Sequence, residues 1–199
     1  MILKICGITT QEDADAAIAA GATAIGFNFY PKSPRFVTPE VAAAITTKGA
    51  RRVGVFVNEA PARVEEIARI AGLDVAQLHG DEAPGDYPAA VTVWKAARVT
   101  AGFDISRYEE CPAEALLLDG PAAELYGGAG HTFDWKLAAS SSHRIIVAGG
   151  LDASNVARAV ELAHPWGVDS CSRIESAPGK KDIKKMTDFL HAAKAALGS

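Results

Sequence analysis

The chain of 199 residues lacks most of the features that would place it in a specialised class. Its cysteines, Cys6, Cys111 and Cys171, are three in number and far apart, with no CxxC pair. That excludes a disulfide-stapled scaffold and indicates a reducing compartment. Met1-Ile2-Leu3 runs into Lys4 before an apolar h-region can form, so no signal peptide is expected. No apolar run approaches the length of a membrane span, and the expectation is a cytoplasmic chain with no membrane partner. Aromatic residues are scarce, at 7%, and alanine supplies much of the apolar count, so small-residue helices packed closely on another layer are expected. The formal net charge is −4 and the pI about 5.7, with no basic stripe, which excludes a nucleic-acid partner. The five histidines show no metal-ligand spacing, and no metal is expected. No linker, low-complexity run or change of composition divides the chain, so residues 1–199 read as one domain.

What is present is an apolar fraction of 49% against 22% charged residues, enough to bury a real core. Short β-type runs alternate with longer alanine-rich stretches of helical period. Eight strands are predicted, over 2–6, 22–27, 53–57, 75–79, 91–96, 115–119, 145–148 and 167–171. Several are continuously apolar, as in Ala115-Leu116-Leu117-Leu118, the pattern of parallel strands covered on both faces. Helix starts are signalled by Thr10, by Thr38 before Pro39, by Pro61, by Ser154 ahead of 155–163, and by Asp182. The segments 82–90, 103–109 and 135–140 look shorter. Eight βα units fit an α/β fold, a single (β/α)8 or TIM barrel with eight parallel strands and outer helices, although typical barrels have ~250 residues. An open doubly wound sheet is the alternative, but the first turn, Cys6-Gly7-Ile8-Thr9, is no G-x-G-x-x-G.

Barrel active sites sit at the carboxyl ends of the strands, so the residues ending each strand are the ones to read. They are Cys6, Asn28, Asn58, His79, Lys95, Asp119, Gly149-Gly150 and Asp169 to Ser172. Cys6 is either a small buried hydrophobe or, with positive charge nearby, a thiolate general base. Asp119, before Gly120-Pro121, is a turn former or a carboxyl able to protonate a sugar ring oxygen. Gly149-Gly150 is a tight turn or a place where backbone amides approach a phosphate. Ser172 and Arg173 in the following loop can add amides and a cation. Arg35 is a solvated loop residue or a planar fork for a carboxylate. His79 is a structural hydrogen-bonder or a mouth residue. Lys180, Lys181, Lys184 and Lys185 read as a solvated helix start. The glycine-rich segment from Tyr126 to Trp135, containing Gly128, reads as a mobile lid over the substrate.

Taken in order, several motifs carry a resemblance. They are Lys4-Ile5-Cys6-Gly7-Ile8-Thr9, Phe29-Tyr30-Pro31-Lys32-Ser33-Pro34-Arg35, Val53-Gly54-Val55-Phe56-Val57-Asn58 and Gln77-Leu78-His79-Gly80. Leu117-Leu118-Asp119, Tyr126–Gly130 with Phe133-Asp134-Trp135, Ala148-Gly149-Gly150-Leu151 and Pro178-Gly179-Lys180-Lys181-Asp182 follow. Over the whole chain the set resembles the phosphoribosylanthranilate isomerase family of tryptophan biosynthesis. The resemblance implies a cofactor-free Amadori rearrangement of N-(5-phosphoribosyl)anthranilate to the 1-deoxyribulose phosphate. It assigns Cys6 as the base at C2, Asp119 as the acid at the ring oxygen, and Arg35 to the anthranilate carboxylate. Loops seven and eight would hold the phosphate. The expected substrate-binding set is Arg35, His79, Gly128, Gly149, Gly150, Asp169, Ser172 and Arg173. The partner implied is a small phosphorylated substrate, and the family's fold is compatible with a monomer or a homodimer.

One departure stands out. The family pattern in loop eight is Asp-Val-Ser-Ser-Gly-Val-Glu, where this chain reads Asp169-Ser170-Cys171-Ser172-Arg173-Ile174-Glu175. Arg173 replaces a glycine, so either its backbone still makes the turn or its charge joins the phosphate grip. Cys171 is expected to have no catalytic role. Related barrel isomerases of histidine biosynthesis carry an aspartate where Cys6 stands, together with repeated phosphate motifs that are absent here. A non-catalytic barrel is disfavoured by the presence of both Cys6 and Asp119.

Overall fold

The computed structural model describes residues 1–120 and 134–198. Eight strands close in chain order into an all-parallel barrel: β1 (Ile2–Ile5), β2 (Ala24–Asn28), β3 (Arg51–Phe56), β4 (Val75–Leu78), β5 (Thr92–Arg98), β6 (Ala115–Asp119), β7 (Arg144–Ala148) and β8 (Gly167–Ser170). The ring is completed by β1 against β8, with Ile2 opposite Gly167 and Lys4 opposite Asp169. Cys6, His79 and Cys171, expected inside strands, stand just beyond the ladders, so their side chains lie at the mouth rather than in the wall. The second strand begins at Ala24, just after Thr23, whose Oγ1 accepts from the Leu3 amide at 2.8 Å.

The outer layer holds α1 (Gln11–Ala19), α2 (Pro39–Ala44), α3 (Pro61–Ala71), α4 (Lys136–Ala139), α5 (Val156–Ala163) and α6 (Ile183–Leu197). After β4 and β5 the helical connection shrinks to single 3-10 turns, Pro84–Asp86 and Ile105–Tyr108. That economy lets eight strands fit a short chain. Thr10, Thr38 and Asp182 cap α1, α2 and α6 by accepting from the amides of Asp13, Val41 and Lys185. Ser154 does not cap α5. Its hydroxyl donates to Asp152 instead, Asn155 takes the N-cap position, and the helix starts at Val156.

A hairpin not foreseen from the sequence, β9 (Glu175–Ala177) with β10 (Lys180–Lys181), follows β8. It corrects the reading of the lysine cluster. Lys181 is only 3% exposed, because its ammonium meets Glu175 at 3.0 Å, while Lys184 and Lys185 remain at the surface.

Strand period divides the apolar residues between two cores. Ile2, Val53, Val75, Trp94, Leu117 and Ile146 fill the barrel interior. Leu116, Leu118, Val147 and Val168 point outward, against a layer that includes Met186, Phe189 and Leu190 of α6. The amino-terminal end is closed by a polar and aromatic floor. Trp94 Nε1 donates to Glu114 at 2.8 Å, and Arg51 and Arg144 meet the same carboxylate at 3.1 and 3.4 Å. Arg51 lies over Trp94, Arg144 lies over Trp166, and the two indoles meet edge to face. Among the described residues no helix is long and apolar enough to cross a membrane.

Candidate active site

At the carboxyl end of the barrel, two polar clusters are mounted on opposite arcs of the wall. The first begins with Lys4 and Cys6, two residues apart on β1 and therefore on one face. Gly26 on the neighbouring strand makes room for both: a Cβ there would come within 3.0 Å of Cys6 Sγ and 3.1 Å of Lys4 Nζ. Lys4 is fully buried and faces the Asp169 carboxylate at 3.0 Å, an ion pair without the alignment of a hydrogen bond. Cys6 is tied to β8 through its amide, which donates to Ser170 O at 3.0 Å. Beyond it lies Cys171, then Lys181, whose ammonium reaches Cys171 O at 3.3 Å.

The charges in this cluster are interdependent. A hydrogen bond from Cys171 holds the Cys6 thiol well below its ordinary range; burial opposes this, and Lys4 and Lys181 reinforce it. Burial pushes the Asp169 carboxyl up to about 7 despite its lysine partner. Burial alone would lower Lys4, but the Asp169 carboxylate and the Cys6 thiolate outweigh it and raise the ammonium above its usual value. Lys4 is thus held as a cation inside the barrel, shielded from solvent.

The second cluster is Asp119 with His79. The imidazole Nε2 lies 3.1 Å from Asp119 Oδ2, and the Gln77 amide nitrogen lies 3.3 Å from Nδ1. Where the Gln77 amide nitrogen donates to Nδ1, the ring nitrogen that carries a proton toward Asp119 is Nε2. Both side chains remain about a quarter exposed, open to the mouth. Gly149 backs this arc. Its φ is +81°, and a Cβ there would collide with the Gly120 backbone and lie 2.9 Å from Asp119 Oδ1.

The remaining predicted residues are placed as follows. Arg35 makes a two-pronged contact with Glu175, Nε to Oε1 at 2.8 Å and Nη2 to Oε2 at 2.7 Å, and Lys181 shares Oε1. Arg173 turns outward to Asp152, at 3.0 Å through Nε, and its φ is not positive. The arginine therefore makes the turn that the family gives to glycine. Gly150 has a positive φ of +69°, and Ser172 and Arg173 open a single 3-10 turn (Ser172–Ile174), where the first backbone N–H groups have no partner inside the turn. Lys95 is not at the mouth: it points to the outer face, where it meets Glu82 at 2.7 Å and donates to Gly80 O at 2.6 Å. Asn58 likewise serves the loops, accepting from the Asp81 amide at 2.7 Å. Gly128 and residues 126–133 of the lid expected over 126–135 lie outside the described residues. Among the described residues, no group of three or more His, Cys, Asp or Glu side chains is placed to hold a metal ion.

Lys4, Gln77, Glu175 and Lys181 are absent from the residues predicted by sequence. For Lys4 a signal existed, a lysine in an otherwise apolar strand two residues before Cys6. For Lys181 and Glu175 the only signal was their place in the motifs 178–182 and 169–175, since their burial depends on a hairpin of polar residues.

A closed parallel barrel with a supported thiol and a carboxyl at its mouth defines a (β/α)8 enzyme of the proton-transferring class. The chain belongs to the N-(5'-phosphoribosyl)anthranilate (PRA) isomerase family, whose model matches residues 3–192. It is 90% identical over 199 residues to the N-(5'-phosphoribosyl)anthranilate isomerase of Solibacter usitatus strain Ellin6076, covering 100% of both chains. It is similar to the crystal structure of phosphoribosyl anthranilate isomerase from Thermotoga maritima, with a TM-score of 0.88 and 39% identity, covering 98% of this chain and 100% of that one. A phosphoribosyl anthranilate isomerase in complex with reduced 1-(o-carboxyphenylamino)-1-deoxyribulose 5-phosphate aligns with a TM-score of 0.85 and 36% identity, covering 98% and 100%.

Proposed function

We propose that this enzyme, one barrel domain over residues 1–199, converts N-(5'-phosphoribosyl)anthranilate to 1-(2-carboxyphenylamino)-1-deoxyribulose 5-phosphate in tryptophan biosynthesis. The observation that carries the mechanism is the buried Lys4 beside Cys6, at the same mouth as the Asp119–His79 pair. Asp119 gives a proton to the furanose ring oxygen, the ring opens, and the anomeric carbon becomes an iminium. The Cys6 thiolate then takes the proton from C2, and the resulting enolamine tautomerises to the ketose. His79 orients the Asp119 carboxyl, and Asp169 faces the sugar hydroxyls. The unused edge of Arg35, held flat by Glu175, takes the anthranilate carboxylate. The backbone amides of Gly150, Ser172 and Arg173 take the phosphate, with Arg173 contributing its backbone rather than its side chain, which is engaged by Asp152. A small phosphorylated molecule is then the partner required, to a monomer or a homodimer in the cytoplasm.

The test is to mix purified protein with freshly prepared N-(5'-phosphoribosyl)anthranilate and follow the loss of anthranilate-type fluorescence. Loss proportional to enzyme is expected; decay at the spontaneous rate would refute the assignment.

A further inference from the structure

The pairing of β1 with β8 does more than close the barrel. Ile5 stands opposite Ser170, and the Cys6 amide donates to Ser170 O at 3.0 Å, so the register carries on to bring Cys6 and Cys171 side by side. Both follow the interior-facing residues of their strands, Lys4 and Asp169, by two positions, so both turn toward the mouth. A Cβ on Gly7 would lie 3.1 Å from Cys171 Sγ, which places that sulfur against the turn leading out of Cys6. Lys181 anchors the second cysteine, with Nζ 3.3 Å from its carbonyl and 4.0 Å from its sulfur.

We propose that Cys171 is a positioning residue for the isomerase reaction, its S–H donating to the Cys6 sulfur and holding that sulfur as an oriented thiolate. This rests on the reading of Cys6 as the base. The pair shares one proton, and the surrounding charges decide where it sits. Lys4 faces Cys6 from β1, and Asp169 faces both from β8. Lys181 and Glu175 come from the hairpin, Arg35 from the loop after β2, and Asp119 acts on Asp169 from β6. The shift is downward for Cys6 and upward for Cys171, with the hydrogen bond between them the largest cause of each. The proton stays on Cys171, whose sulfur accepts from Lys181 at 4.0 Å and so has its own S–H to give, while the fully buried Lys4 ammonium stands beside the Cys6 sulfur aimed at the substrate. Cys171 neither gains nor loses a proton in the reaction; it sets the charge state of the sulfur that does.

Cys171→Ala and Cys171→Ser test this in the intact enzyme. Two readouts are needed: the thiolate absorbance near 240 nm that disappears in Cys6→Ala, and the acid limb of kcat/KM against pH. In Cys171→Ala both midpoints are expected to rise together by roughly one pH unit, the scale of a hydrogen bond to a charged group. Activity on the acid limb should then fall about tenfold, with the loss shrinking as the pH is raised. Cys171→Ser, which keeps an O–H donor, should recover most of the shift. If both midpoints stay at the wild-type values in Cys171→Ala, the proposal is overturned. A spectral midpoint that moves without the acid limb would overturn the role in the reaction, and would trace the failure to Cys6 not being the base. Substantial turnover by Cys6→Ala would point the same way, without touching the spectral result.

Discussion

Lys4 illustrates how one residue can set the chemistry of a barrel from inside its wall. Removing an ammonium from water costs several kcal/mol, and the Asp169 carboxylate at 3.0 Å only partly offsets it. The return is a fixed positive charge beside Cys6. With the folded thiol held well below its ordinary value of 9.0, the thiolate predominates above that lowered value, and the activity that depends on Cys6 is lost as pH falls through it. Lys4→Met should therefore move the acid limb of kcat/KM to higher pH; a limb that stays in place would mean Lys4 is purely structural. Cys6→Ser should lower turnover by ~10²–10⁴-fold, the range for losing a general base, with an unchanged circular dichroism spectrum. Near-normal turnover would remove Cys6 from the mechanism. Cys6 and Asp119 were legible in the sequence because they end apolar strands, where a reactive group has few structural reasons to stand. The residues that tune them were harder to see. Glu175 and Lys181 look like ordinary surface charges until a hairpin folds them against each other.

Among the elements, strands declared themselves best. A parallel strand buried on both faces reads as a nearly continuous apolar run, and 115–118 could hardly be anything else. Caps with a side-chain oxygen were readable at Thr10, Thr38 and Asp182, but Ser154 was claimed by Asp152, a local competition that no spacing rule reveals. The hairpin of β9 and β10 was missed because its residues show no alternating apolar face. The turn after β7 makes the sharpest demand on residue type. Gly149→Ala meets both a left-handed backbone, costing about 1–3 kcal/mol, and a collision with Gly120 beside Asp119. Chemical denaturation should show a loss of that size, with kcat reduced as the Asp119 carboxyl is displaced. Wild-type kcat in a destabilised variant would mean the turn supports the fold alone.

For the molecule as a whole, stability and chemistry are assigned to opposite ends. Trp94 is fully buried at the floor, and its loss removes a large ring together with its bond to Glu114. Trp94→Ala should lower the unfolding free energy by ~3–5 kcal/mol in urea melts, while kcat of the folded fraction changes little. A collapse of kcat at unchanged stability would contradict the division. The same floor also bears on molecular traffic. With the interior filled by Ile2, Val53, Val75, Leu117 and Ile146, and the base closed by indoles and guanidinium groups, the barrel is a blind alley. Substrate arrives and ketose departs through the same doorway, so the second molecule must wait for the first to leave.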